Sequence, residues 1–166
     1  MQIGYDLIVK KTDINSNEDD ILEIVRLTPT ACNRQMCKLY YIQDDKKKDI
    51  LSKAINGLTC FDVETLNFFV ITYDQNAFFT VKERNQGFFN AGLFTMNFVN
   101  AMHSKGIGSC ILQCDNLPKD ESKLKTELYI PQNEKISVFV VSGYYDNKFS
   151  VPVSPRKPKK DLFFTK

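Results

Sequence analysis

The chain has 166 residues, 43% of them hydrophobic and 25% charged, which is enough apolar material for one packed core and an ordinary balance for a folded protein. Its 22 basic and 20 acidic residues leave a formal charge of +2, so neither nucleic acid nor a membrane surface is an expected partner. No apolar run approaches the ~20 residues of a membrane span, no secretory signal pattern opens the chain, and the five cysteines form neither a CxxC pair nor a disulfide framework; a cytoplasmic protein without structural zinc or disulfides is expected.

Along the chain, Ser16 to Asp19 resembles a capping box, and Ile21, Leu22, Ile24 and Val25 follow as an apolar stripe that Pro29 stops. Residues 38–42 read as a strand and 44–55 as a helix with Lys46, Lys47 and Lys48 on its charged face, ended by Gly57. The run LNFFVIT, 66–72, reads as a buried strand. Residues 88–105 are apolar on nearly every side, with Ala91, Gly92 and Ala101 allowing close approach. A helix of that kind is more easily buried between two subunits than inside one short chain. Gly106 terminates it; a strand over 109–112, a helix over 118–128 opening on Pro118 and a strand over 136–142 follow. The tail 144–166, with three prolines and little periodicity, is expected to need a partner surface. The alternation favours an α+β layered fold over a doubly wound one, in a single domain spanning 1–166.

The chemistry-bearing residues are few. The single histidine, His103, falls in the apolar helix and reads as structural; a Cys110–His103 pair is the one nucleophilic reading available. No GxxxxGK[ST] loop is present, and Gly106-Ile107-Gly108 lacks the third glycine of a dinucleotide fingerprint. Asp19/Asp20 and Asp44/Asp45 read as capping or solvated groups. The most unusual string is Pro29-Thr30-Ala31-Cys32-Asn33-Arg34-Gln35, whose amides and hydroxyl suit a planar heterocycle with imide edges.

The string TPTACNRQ resembles the proline, small-residue, Asn, x, Gln loop of the nitroreductase family, and similar segments continue in order: KLYYIQD, NGLTCF, NFFVIT, GLFTMNFVNAMHSKGIGSC and the close VPVSPRKPKKDLF. Each string is unspecific alone; their shared order over residues 12–166 carries the resemblance. It implies a three-layer α+β sandwich with a central mixed or antiparallel sheet, built as an intertwined homodimer whose tail packs on the partner subunit. It also implies FMN as cofactor, NAD(P)H as electron donor and a small electron-poor acceptor such as a nitroaromatic or quinone. In such a protein the flavin supplies the chemistry, which accounts for the missing acid–base set. By the same resemblance Thr30, Ala31, Asn33 and Gln35 would surround the flavin and ribityl chain, and Cys110, Ile111, Leu112 and Gln113 would pass along it, with the Gln113 N–H aimed at N5. Arg156 would bind the phosphate, with Lys157 close by. One departure stands out: the family's N-terminal RRSxR cations are replaced here by MQIGYDLIVKK, whose Lys10 and Lys11 do not reproduce the spacing. Losing two charge-assisted phosphate contacts would cost ~1.5–3 kcal/mol each. The alternative reading is therefore a non-catalytic, nitroreductase-like dimeric scaffold with weak or no FMN binding.

Overall fold

The structure is a computed structural model in which residues 8–10, 13–59, 61–145 and 155–165 are described. Most of the N-terminal segment containing Lys11, together with Cys60 and tail residues 146–154, lies outside the described residues.

Among the described residues five strands form one antiparallel sheet: β1 (Ile8–Lys10), β2 (Cys37–Ile42), β3 (Asn67–Asp74), β4 (Ile107–Gln113) and β5 (Glu134–Tyr145). The long β5 is the spine, with β4 along one edge and β3 along the other, and β2 pairs outside β3. Tyr144 stands opposite both Ile107 and Lys10, so β1 occupies the β3 side of β5 beyond Ser142, where β3 has already ended at Asn67. The order across the main body of the sheet is thus β4-β5-β3-β2.

Alternation sends side chains to two separate layers. On one face Phe68, Val70, Phe139 and Val141 pack with Leu51 of α2 (Asp45–Ala54), Ile55 immediately after it, and Leu124 and Leu128 of α4 (Pro118–Leu128). On the other, Phe69, Ile71 and Val140 pack with Ile21 and Val25 of α1 (Glu18–Val25) and Ala91, Phe98, Ala101 and Met102 of α3 (Gln86–Ser104). The expected three-layer α+β sandwich is the observed one. Phe98 meets Phe69 edge-on at 4.9 Å between ring centroids, and Tyr41 stacks on Phe69 at 4.8 Å.

Local signals account for most boundaries. Asp44 caps α2 by accepting the Lys47 N–H at 2.9 Å, Pro118 opens α4, and Gly106 follows α3 at φ +72°, a left-handed position suited to glycine. Three expectations need correction. Ser16 does not cap α1: its hydroxyl donates to the Asp13 carbonyl, drawing residues 15–17 into a 3₁₀ turn, and Asn17 stands at the cap without a side-chain bond. In that helix only Ile21 and Val25 are buried, while Leu22 and Ile24 are exposed. His103 is exposed on α3 rather than buried.

Strand β5 carries a bulge where it pairs with β3. Ile71 faces Val138 but Thr72 faces Ile136, so Ser137 is the extra residue and the side-chain alternation reverses there. A buried polar network fixes this point. Glu121 accepts the Ile136 N–H at 3.0 Å and pairs with Lys135; Lys125, almost fully buried, donates to the Gln132 and Glu134 carbonyls at 3.0 and 2.8 Å. The Glu134 carboxylate, 0% exposed, accepts from Thr72 Oγ1 at 2.6 Å, Tyr40 Oη at 2.8 Å and Lys38 Nζ at 2.5 Å.

Gly87 marks the tightest approach of α3 to the sheet. A Cβ there would lie 2.2 Å from the Tyr73 ring, itself buried between Phe78 and Phe88. Alanine improves helix propensity by ~1 kcal/mol, but the overlap forces the ring or the helix to move at about 1–3 kcal/mol. Gly87→Ala is therefore expected to lower stability in a urea melt, and a gain would show that the ring swings aside freely.

Candidate functional site

The segment between α1 and β2 folds into a compact, strained turn. Thr30 is extended, then Cys32, Asn33 and Gln35 all take left-handed φ values of 52°, 54° and 50°. Each such non-glycine residue costs of order 1–2 kcal/mol, which the surroundings must offset. Within the turn, the Thr30 carbonyl accepts the Asn33 N–H at 3.0 Å, the Ala31 carbonyl accepts the Arg34 N–H at 3.1 Å, and Thr30 Oγ1 accepts the Gln35 N–H at 3.0 Å. From outside, Asn90 of α3 accepts the Ala31 N–H at 2.9 Å. Arg34 turns away and donates to the Ala77 carbonyl at 3.0 Å and to Glu83 at 2.7 Å, with its guanidinium 4.7 Å from the Phe79 ring centroid. The Phe79 backbone N–H, followed by Arg34, holds the Glu83 carboxyl below the usual carboxylate range.

Thr30 Oγ1 is engaged as an acceptor, and Gln35 Nε2 donates to the Asn33 carbonyl at 3.4 Å, which leaves the Asn33 amide, the Gln35 side-chain oxygen and the Thr30 hydroxyl proton on offer. Thr30 and Ala31 are half-buried, while Asn33 and Gln35 are exposed. Beneath them a cavity of about 160 Å³ is lined by Val25, Arg26, Thr28, Thr30, Gln35, Cys37 and Phe94. It adjoins a groove of about 420 Å³ along β2 that shares Val25, Arg26, Cys37 and Phe94. Burial pushes the Cys37 thiol up to about 11, which keeps it protonated and unreactive.

The second set of expected residues lies on β4. Cys110 and Leu112 point into the α2/α4 layer and are buried; Ile111 and Gln113 point to the other face and are exposed. Among the described residues β4 pairs with β5 alone, so its outer edge presents unpaired backbone groups. The Thr30–Gln35 residues run into β2 and the Cys110–Gln113 residues sit on β4, at opposite edges of the β4-β5-β3-β2 order. Three strand spacings separate them, roughly 14 Å. One protomer therefore does not bring the two sets together. Arg156 and Lys157 lie in the exposed segment 155–165.

The nucleophilic alternative is overturned by layering. His103 is on α3 above one face of the sheet and Cys110 is buried under the other, with its thiol pushed up by burial. What sequence reasoning missed is the support for the loop: Asn90 and Asn97 of α3, and Glu83. Two amides seven residues apart in an apolar helix were the available signal.

The architecture is that of a nitroreductase-type sandwich, and comparison with known proteins agrees. The Nitroreductase family model matches residues 64–144, which span β3, α3, β4, α4 and most of β5. A nitroreductase family protein from Streptococcus pneumoniae superposes with a TM-score of 0.80 at 21% identity, covering 100% of this chain and 96% of its own. A Desulfovibrio desulfuricans protein solved in complex with FMN gives 0.75 at 21% identity, covering 96% and 90%. Nitroreductase CinD from Lactococcus lactis, in complex with nicotinic acid, gives 0.76 at 19% identity, covering 99% and 94%. No curated protein sequence matches the chain. The resemblance of this sequence to the nitroreductase family is thus borne out, by the family match over 64–144 and by the fold over the whole chain.

Proposed function

We propose that the chain is an FMN-dependent oxidoreductase that passes electrons from NAD(P)H to a small electron-poor acceptor such as a nitroaromatic or quinone, working as a cytoplasmic homodimer. The observation that carries the reading is the division of the expected flavin contacts between opposite sheet edges. A twofold partner would bring the Thr30–Gln35 turn of one subunit against β4 of the other. The surface for that pairing is at hand: Phe89, Gly92, Leu93 and Met96 form one exposed apolar stripe of α3, and nothing lies within 4 Å of a Cβ placed on Gly92. In this reading the chain acts as one domain; Tyr144 and Tyr145, expected to open the tail, belong to β5, and the tail that follows, whose Leu162, Phe163 and Phe164 are exposed, packs on the partner subunit.

The donor set suits the cofactor. Asn33 and Gln35 offer amides to an imide edge, Thr30 a hydroxyl to the ribityl chain, and Ala31 permits close approach. Ile111 would give an apolar contact, Cys110 and Leu112 anchor the strand on the opposite layer, and the Gln113 N–H, at the end of β4, would serve as the donor toward N5. Arg156, with Lys157, supplies positive charge for the phosphate. FMN, when bound, accepts a hydride and returns electrons to the acceptor; the chain's residues bind it, orient it and exclude water. The FMN held by the Desulfovibrio desulfuricans neighbour supports the choice of cofactor.

The test is an absorbance spectrum after desalting, with and without added FMN, paired with a thermal melt. Flavin bands near 450 nm at roughly one per chain are expected. FMN at a hundred times its Kd is expected to add ~2.7 kcal/mol of stability, or about 5–10 °C in Tm. A colourless protein with no shift at millimolar FMN would replace this reading with the non-catalytic dimeric scaffold.

A further inference from the structure

Two amides of α3, the buried Asn90 and the half-buried Asn97, face the chain between α1 and β2, whereas the buried Thr95 on the same helix spends its hydroxyl on the Ala91 carbonyl of its own helix. Asn90 is 1% exposed; its Oδ1 accepts the Ala31 N–H at 2.9 Å while its Nδ2 donates to the Gln86 carbonyl at 2.6 Å. Asn97 Nδ2 donates to Thr28 Oγ1 at 2.9 Å, and that hydroxyl donates onward to the Val25 carbonyl at 2.7 Å. Seven residues are two helical turns, about 10 Å, so the two amides stand one above the other on the same face. They grip the chain at Thr28 and at Ala31, on either side of Pro29, immediately before the left-handed Cys32–Asn33 pair.

Helix packing does not call for amides here, since apolar side chains bury more favourably unless a polar partner must be met. Both amides meet the loop. With Ala31 held, the turn bonds from Thr30 and Ala31 to Asn33, Arg34 and Gln35 fix where the exposed Asn33 and Gln35 side chains emerge. The far side of the same helix carries the exposed Leu93 and Met96. We propose that Asn90 and Asn97 are positioning residues that set the conformation of the cofactor loop, so that FMN affinity depends on how α3 is seated. The proposal rests on the flavin reading above and adds residues that do not themselves touch the cofactor.

The test uses Asn90→Leu and Asn97→Leu, which keep the branched heavy-atom skeleton, in a somewhat larger side chain, and delete the hydrogen bonds, and Asn90→Asp, which keeps an acceptor oxygen toward the Ala31 N–H. Each leucine variant is expected to raise the Kd for FMN about tenfold, with Asn90→Asp recovering only part of the loss, because its second oxygen faces the Gln86 carbonyl that Asn90 Nδ2 donates to. The visible circular dichroism of the bound flavin should change as well. Without FMN, backbone amides of residues 28–35 are expected to exchange about tenfold faster in the leucine variants, with β3 amides unchanged. Leucine variants that bind FMN within twofold of wild type, or exchange these amides at the wild-type rate, overturn the proposal. A wild-type chain that takes no FMN overturns the flavin reading, and the exchange measurement then decides the clamp by itself.

Discussion

Leu93→Asp and Met96→Asp are each expected to convert a dimer into a monomer and to abolish flavin retention. Both residues lie on the stripe of α3 that one protomer leaves exposed, at 37% and 52% of their surface, beside the open Gly92. Such substitutions are harmless on a solvated face and severe in an interface, because a carboxylate there must be desolvated at several kcal/mol. Twofold symmetry enters the penalty twice. At about 3 kcal/mol per copy the dimer weakens by roughly 10⁴-fold. Sedimentation velocity reads the association directly, and desalting followed by an absorbance spectrum reads the flavin. Since the protomer core does not include these side chains, the monomer should keep its far-ultraviolet circular dichroism. Variants that stay dimeric would place the twofold interface elsewhere; variants that become monomeric yet retain flavin would show that one chain completes the site.

The second large effect concerns the buried carboxylate at the bulge. Glu134→Ala is expected to cost about 3 kcal/mol, since it leaves Tyr40, Thr72 and Lys38 facing a gap without their acceptor. For a chain of this length that is roughly 6–12 °C in Tm at fixed protein concentration. Burial by itself raises the Glu134 pKa, but the hydrogen bonds from Lys38, Thr72 and Tyr40 outweigh it and hold the carboxyl below its usual value. The unfolded chain therefore takes up its proton first as the pH falls. The carboxylate's stabilisation is complete above the ordinary carboxylate pKa of ~4.3 and is lost as the pH drops through the lower folded value. Glu134→Gln should flatten this acid limb while costing less than alanine at neutral pH. Urea melts from pH 3 to pH 7 on the three proteins check both points, and an unchanged acid limb would mean that Glu134 is not the group responsible.

Neither effect could be read from one stretch of sequence. Glu121, Lys125, Glu134 and Lys135 resemble solvated surface charges when read linearly, and only the meeting of α4 with β5 buries three of them together. Strand β1 shows the same limit: Ile8 and Val9 are β-branched, but a run of three residues is too short to read as a strand by itself, and its pairing depends on the overhang of β5 beyond Ser142. The support of the Thr28–Gln35 turn by Asn90 and Asn97 spans 59 and 69 positions, a separation local patterning does not reach.

By itself the sequence determined what local physics controls. The Asp44 cap, Pro118 at the start of α4, Gly106 after α3, the β-branched and aromatic run of β3 and the shared order of motifs all announced the layered α+β fold. It also showed α3 to be apolar almost all round. Which side of that helix the sheet covers, and which side stays exposed with His103, was decided by packing alone. So was the placement of the two candidate flavin-contacting segments on opposite edges. Strand order is a matter of long-range pairing, and the residues that choose a neighbour across the sheet lie far from the residues whose position that choice fixes.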